Sequence, residues 1–426
     1  MGGRRSSGIV STGRLSSRDR LEAFLGRGRG ESLVVATARL VSAGCSLLVA
    51  VVSARHLGPS GRGEIVLVLT VAMLGSEFVG LGANVSGRIQ ILRRSGVAVE
   101  DYLGLTAVLA VVQAVLVGAT LAIVGSLAVD LTLTTYLAGT GLGVAMFLAH
   151  MLVDASFALR RTLETGLRDL LIGVLPVVPV VALAATGRLS VDLVVGLTAL
   201  GYAVGGVYLA MVVGRRTGRV RFSPPTWRII VRNGLPVLGN SFGQTLAFRA
   251  DRLVIGLVTT SATLGVFSVA ATTAELPRLL LLPATQILVN RIAGGEIPVS
   301  SLGRLLVRLG VGYGLVMLAI GFVGGAVVLP VVGDGFTGVG EALPVLALGE
   351  ALIGVHFLSI AVLTGLARFR RLPLPALLGS AILLVGDLLI VPEHGSIGAS
   401  WMRVVGFGVM AGVSVTSMVT ALRETP

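Results

Sequence analysis

Nine ionisable side chains lie inside long apolar stretches of this chain: Arg39, Glu77, Arg249, Asp251, Arg252, Glu275, Arg278, Glu350 and Asp387. If those stretches cross hydrocarbon, an ionised group at mid-depth costs about 2.5 to 3.5 kcal/mol on insertion scales. Each must then face a partner, a wet cavity or a ligand of opposite charge. Arg249 and Arg252 are three residues apart and share one helix face. Two like charges there repel unless an anion sits between them, and the guanidinium fork matches the oxygens of a phosphate. The spacing describes an anion site, with a purely structural network of ion pairs as the other reading. Asp251 falls on a different face and is expected to pair elsewhere.

Arg39 has Val35, Ala36, Ser42 and Ala43 at its helical neighbour positions, so nothing on its own helix can neutralise it. It needs an acid from another helix, such as Glu77, or water, or an anionic ligand. Glu275 and Arg278 are three apart and could neutralise each other, but Pro277 between them removes a backbone bond and bends a helix. Glu350 and Asp387 are isolated acids: each is a proton- or cation-coupling site or a partner for an arginine. Asp154 and Arg403 fall near span ends, where long side chains reach the interface cheaply, and are read as structural. The four histidines show no metal-ligand spacing. No nucleophile elbow, phosphate-binding loop or paired-carboxylate site occurs. No cofactor, metal or enzymatic activity is expected.

The elements that must position these groups follow from composition. Of 426 residues, 54% are hydrophobic and 13% charged, about half the charge of an ordinary soluble domain, and the mean hydropathy is +0.93. Such a chain cannot cover itself with a polar surface, which excludes a large soluble enzyme, a disordered scaffold and a cysteine-stapled domain. Cys45 is the single cysteine. A membrane-crossing helix needs about 20 apolar residues. Twelve such runs start near Ser32, Glu64, Tyr102, Leu131, Leu167, Val191, Gly234, Ala262, Leu302, Glu341, Leu374 and Ile397. Runs of this length are helices, because barrel strands would be shorter and alternating. The fold class expected is an all-α polytopic membrane protein of two six-helix bundles.

Orientation follows from the arginines, which account for all 34 basic residues. Twenty-six fall in the N-terminal tail or in one alternate set of loops, against Arg55, Arg62 and Arg188 in the other set. By the positive-inside rule both termini are cytoplasmic. The net charge of +13 then reports topology, with no nucleic-acid partner implied. Residues 1–31 are expected to be a disordered basic cytoplasmic tail touching anionic lipid, with no removable signal peptide. Residues 32–213 form the first bundle, 214–233 an arginine-rich linker containing Pro224-Pro225, and 234–426 the second bundle. Because six is even, a repeat of the two halves would be parallel. Short external turns at residues 57–63 and 261–265 are a faint echo of it.

The segment Ala54-Arg55-His56-Leu57-Gly58-Pro59-Ser60-Gly61-Arg62-Gly63-Glu64 resembles the first external turn of the polysaccharide-export flippases. These belong to the multidrug/oligosaccharidyl-lipid/polysaccharide exporter superfamily. The second half is similar to that family's seventh and eighth helices through Arg232-Asn233-Gly234-Leu235-Pro236 and Phe248-Arg249-Ala250-Asp251-Arg252-Leu253-Val254-Ile255-Gly256. The similarity continues through Leu264-Gly265-Val266-Phe267-Ser268-Val269-Ala270, Ala274-Glu275-Leu276-Pro277 and Leu282-Pro283. An aromatic-Gly-hydrophobic-Tyr run usual after the first turn is replaced here by Arg62-Gly63-Glu64. The resemblance spans residue 32 to about 420 in topology and implies a MATE-like, alternating-access flippase in the cell membrane, working on a polyprenyl-diphosphate-linked oligosaccharide for surface polysaccharide.

Arg39, Arg249, Arg252 and Arg278 would line the central cavity and hold the anionic headgroup, with Glu77, Asp251, Glu275, Glu350 and Asp387 pairing or coupling. Expected partners are the lipid-linked oligosaccharide, membrane lipids, a coupling proton or sodium ion and polysaccharide-assembly proteins. A multidrug cation antiporter of the same superfamily would need a cavity of acids and aromatics instead. A polysaccharide polymerase or ligase would need an external platform, and the longest external connection is about a dozen residues around Val332 to Glu341.

Overall fold

A computed structural model of the protein describes residues 17–127, 131–294 and 296–424. Among these the chain is helical throughout, without a strand. The first half holds α1 (Ser17–Gly80), α2 (Ala83–Leu92), α3 (Val99–Leu127), α4 (Leu133–Ala158), α5 (Thr162–Val174), α6 (Val177–Ala185) and α7 (Val191–Gly214). The second holds α8 (Pro224–Val258), α9 (Ser261–Glu275), α10 (Arg278–Ala293), α11 (Val299–Val332), α12 (Val339–Gly365) and α13 (Pro373–Arg423). This is the expected all-α class, and its cause is elementary. Backbone amides in hydrocarbon must be satisfied internally, and a helix does that within one segment.

Nine helical stretches among the described residues are long and apolar enough to cross a membrane. They do not map one to one onto the twelve expected runs. Two expected pairs each fall within one helix broken at a glycine, at Gly58 (φ 67°) in α1 and at Gly395 (φ 56°) in α13. Both glycines take the left-handed conformation, which costs other residues free energy. The run expected from Gly234 lies within α8, whose arginines and Asp251 keep it outside the nine. Prolines divide two further spans, Pro176 separating α5 from α6 and Pro277 separating α9 from α10. Thr132 and Thr260 cap the starts of α4 and α9, their side chains accepting from the amides of Thr135 and Thr263 at 3.1 and 3.2 Å. Along the outside, Val115, Leu280, Phe322 and Leu389 are exposed, an apolar belt that only a bilayer covers without penalty.

Two boundaries shift. Helix α1 begins at Ser17, so residues 17–31 are helical where a disordered tail was expected; residues 1–16 lie outside the described residues. Extending an existing helix fixes one residue per bond gained and escapes the cost of a new nucleus. Likewise α8 begins at Pro224, leaving only 215–223 between the halves. Pro224-Pro225 opens a helix there, where a missing amide proton costs nothing.

The two halves touch at both ends of the bundle, each time through glycine. Toward the end expected to be external, a Cβ on Gly63 would stand 1.8 Å from the carbonyl oxygen of Ser261, and one on Gly265 would stand 1.9 Å from that of Pro59. The two turns that echo each other in sequence thus press reciprocally against one another. Toward the opposite end, a Cβ on Gly82 would stand 2.2 Å from the oxygen of Gly234, and Ser86 donates to the carbonyl of Ile230 at 2.8 Å. The outer closure makes a prediction. Gly63→Ala or Gly265→Ala forces the backbones apart, and a cysteine at position 268 (Ser268→Cys, Cys45→Ser) becomes several-fold more reactive to an impermeant maleimide added outside. Unchanged labelling would show that the glycine contact does not seal that end.

Candidate substrate cavity and its charge network

Between the end contacts the halves enclose a cavity of about 400 Å³, walled by α1, α4, α5 and α7 on one side and by α8 and α9 on the other. Its polar wall includes Arg62, Thr70, Tyr202, Arg249, Arg252 and Glu275. Arg249 and Arg252 share a face of α8, as their spacing requires. The anion between them is the protein's own Glu275, at the C-terminal end of α9: its Oε1 accepts from Arg252 at 2.8 Å, and its Oε2 lies 3.8 Å from Arg249. Arg252 is 4% exposed, whereas the Arg249 side chain is 23% exposed, so Arg249 is the looser and more open of the pair.

Behind this wall the network continues through Arg403 on α13. Its Nη2 donates to Glu275 Oε1 at 3.0 Å and to the Phe248 carbonyl at 3.2 Å. Its Nε stands 2.8 Å from Asp251 Oδ2, off the hydrogen-bonding direction, and its Nη1 stands 3.7 Å from Glu350. The rings of Phe267 and Phe407 lie 5.8 and 5.4 Å from the guanidinium carbon. Arg403 is fully buried, which corrects its expected place at a span end. The break at Gly395 sets it about two helical turns inside the last helical segment, packed among α8, α9 and α12.

Arg278 corrects another expectation. It grips Glu350 with two nitrogens, Nε at 3.0 Å and Nη2 through a second, shorter bond, and its guanidinium lies 4.3 Å from the Phe248 ring centre. It does not pair with Glu275, because three-residue neighbours meet only along a continuous helix and Pro277 interrupts this one. Asp387 is fully buried, and neither of its carboxylate oxygens has a hydrogen-bond partner.

Arg39 stands apart from this cavity. Its Nε donates to Asp169 of α5 at 3.1 Å, and Arg168 meets the other oxygen of Asp169 at 2.5 Å. The expected partner, Glu77, lines the same neighbouring polar cavity of about 450 Å³, beside Asn84, His150 and Asp154. Helix α1 packs along α5, with Val35 and Ala38 against Gly166 and Ser42 against Gly173, which brings Asp169 to Arg39; spacing cannot reveal a neighbour on another helix. Asp154 pairs with Arg88 at 3.0 Å. Of the predicted headgroup contacts, Arg249 and Arg252 reach the central cavity while Arg39 and Arg278 do not line it. Arg62, read as an external turn residue, is buried in the cavity wall.

The family described as "Polysaccharide biosynthesis protein" matches residues 30–290. The chain belongs to that family. No curated protein matches its sequence. Among solved structures, it is similar to an inward-facing multidrug resistance MATE family transporter of the MOP superfamily at 16% identity. That likeness covers 92% of this chain and 99% of the other, with a TM-score of 0.72. It is also similar to the lipid II flippase MurJ in an inward closed conformation, at 10% identity over 92% and 89% of the chains and a TM-score of 0.70. A third likeness is to a MOP superfamily transporter from Pyrococcus furiosus, described as having a binding pocket of reversed polarity, at 14% identity, 92% and 96% coverage and a TM-score of 0.64. At these identities the likeness is one of fold. The chain is thus a member of a polysaccharide biosynthesis family with the fold of multi-pass membrane transporters.

This family member's buried network carries a stability prediction. Removing one partner of a buried ion pair costs about 3–5 kcal/mol, because the other charge is stranded. Arg403→Met therefore lowers the melting temperature of the purified protein in detergent sharply, and adding Asp251→Asn recovers part of the loss. A melting temperature unchanged by Arg403→Met would contradict the arrangement.

Proposed function

We propose that this protein flips a polyprenyl-diphosphate-linked oligosaccharide from the cytoplasmic to the outer leaflet of the cell membrane for surface polysaccharide assembly. The observation that carries the reading is the pair Arg249 and Arg252 on the cavity wall, held by a carboxylate that a substrate anion can replace. A diphosphate headgroup cannot cross hydrocarbon bare. In the cavity it meets two guanidinium forks whose resting counter-ion is Glu275. Exchange of one anion for another keeps Arg249 and Arg252 neutralised throughout. Arg249, at 3.8 Å from Glu275 and partly open, makes the first contact. Alternating opening of the two glycine-sealed ends then carries the headgroup across while the hydrocarbon tail stays in lipid.

The family supports the polysaccharide part of this reading, and a fold shared with a lipid II flippase is compatible with a lipid-linked substrate. The cation-antiporter alternative finds little purchase. Glu275 is the one carboxylate lining the cavity among the described residues, and three arginines surround it.

Losing one charge-assisted hydrogen bond to phosphate costs about 1.5–3 kcal/mol. Arg249→Ala is therefore expected to slow flipping roughly ten- to a hundred-fold, with lipid-linked oligosaccharide accumulating in the cytoplasmic leaflet and surface glycan lost. Arg249→Lys keeps part of the activity. Normal export by a correctly inserted Arg249→Ala protein would overturn the reading.

A further inference from the structure

Arg62 is unlike every other arginine of the central region. Arg249, Arg252, Arg278 and Arg403 each meet a carboxylate. Arg62 is 7% exposed, and its Nε has no hydrogen-bond partner. Among the described residues it makes no ion pair. A buried guanidinium without a counter-charge is costly, and residues that carry such a cost are concentrated where function needs them. Among the described residues Glu275 is the one acid on the cavity wall, and it is already engaged by Arg249, Arg252 and Arg403, so none of them is left to neutralise Arg62.

Its position defines what could. Arg62 lines the central cavity and also an apolar side pocket of about 130 Å³ between α1, α9 and α11. The two spaces share Leu47, Ala50, Arg62, Thr272 and Leu276. The side pocket's outer rim includes Val327 and Val331, both exposed on the apolar outer surface. One guanidinium thus stands at the junction of a polar chamber and an apolar passage toward the bilayer. A ligand matching both has an anion where a hydrocarbon chain joins a polar headgroup.

We propose that Arg62 binds the phosphate of a lipid-linked substrate at this junction, with the headgroup in the central cavity and the hydrocarbon chain leaving past Val327 and Val331. The assignment rests on the flippase reading above and adds a second anion station to it. At 1.5 Å of rise per residue, Arg62 is about 6 Å along the helix from the break at Gly58, and Arg249 is about 14 Å from the end of α8. The two stations therefore lie at different depths. Arg62 is also adjacent in sequence to Gly63, the residue pressed against Ser261. An anion held by Arg62 lies directly under the outer seal, placed to be the last protein contact before release.

The test uses the full-length protein in nanodiscs, with three probes: polyprenyl diphosphate, the polyprenol of equal length, and inorganic pyrophosphate. Arg62→Gln is expected to weaken polyprenyl diphosphate binding about ten-fold or more. Arg62→Lys retains most of the affinity, and polyprenol binding is the same in all three proteins. Without ligand, the melting temperature of Arg62→Gln stays at or above that of the parent, since an uncompensated buried charge has gone. That result separates it from Arg403→Met and shows that the variant folds. Polyprenyl diphosphate binding unaffected by Arg62→Gln would overturn the site. Pyrophosphate binding as tightly as the lipid-linked probe would overturn the lipid-linked assignment. If Arg62→Gln binds and flips normally while Arg249→Ala does not, the flippase reading stands and the second station falls; a parent protein that binds neither diphosphate overturns both.

Discussion

The arrangement depends on one carboxylate shared among three guanidinium groups. Glu275 touches Arg252 and Arg403 within hydrogen-bonding distance and Arg249 at ion-pair distance. In a medium of low dielectric, uncompensated charge is costly. Most of the cations brought toward this cavity are therefore accompanied by anions. Asp251 and Glu350 complete the compensation behind the wall by engaging Arg403 and Arg278. The result is graded from rigid to exchangeable. Arg403 is fully enclosed and braces α13 against α8 and α9, Arg252 is nearly so, and Arg249 opens to the cavity. The proposed transport site would use that gradient, its supporting charges staying fixed while its contact charge trades partners.

Backbone breaks put these side chains within reach of one another. Pro277 ends α9 immediately after Glu275 and starts α10 with Arg278, so two residues three apart in sequence serve different partners. Gly58 and Gly395 divide the two longest helices and set the depths of Arg62 and Arg403. Glycines at 63, 82, 234 and 265 let the halves close backbone to backbone at both ends of the cavity. A β-carbon at any of the four would open a gap. Each of these devices costs helix stability locally and is repaid in geometry that an uninterrupted helix could not provide.

Much of this was legible in the sequence. The all-helical class followed from hydropathy and run length, and the special status of Arg249, Arg252 and Glu275 followed from charge placed in apolar surroundings. What spacing could not reveal was partnership between helices. Arg39 meets Asp169 and not Glu77, and Arg278 meets Glu350 and not Glu275, because neighbours across a bundle are set by packing that periodicity does not encode. Arg62 was misplaced for a related reason. A Gly-rich turn reads as solvent-exposed punctuation, yet here the turn is tucked between the halves, and its arginine points inward. The helical start at Ser17 shows the opposite error, where polar composition outweighed the ease of lengthening a helix already formed.

In the proposed flippase Glu275 is a stand-in for the substrate's anion, and its removal tests that directly. Binding of polyprenyl diphosphate to the purified protein in nanodiscs should tighten about ten-fold in Glu275→Gln, since Arg249 and Arg252 lose their internal competitor, while Arg403 keeps Asp251. Affinity that is unchanged or weakened in Glu275→Gln would contradict the exchange of anions on which the account rests.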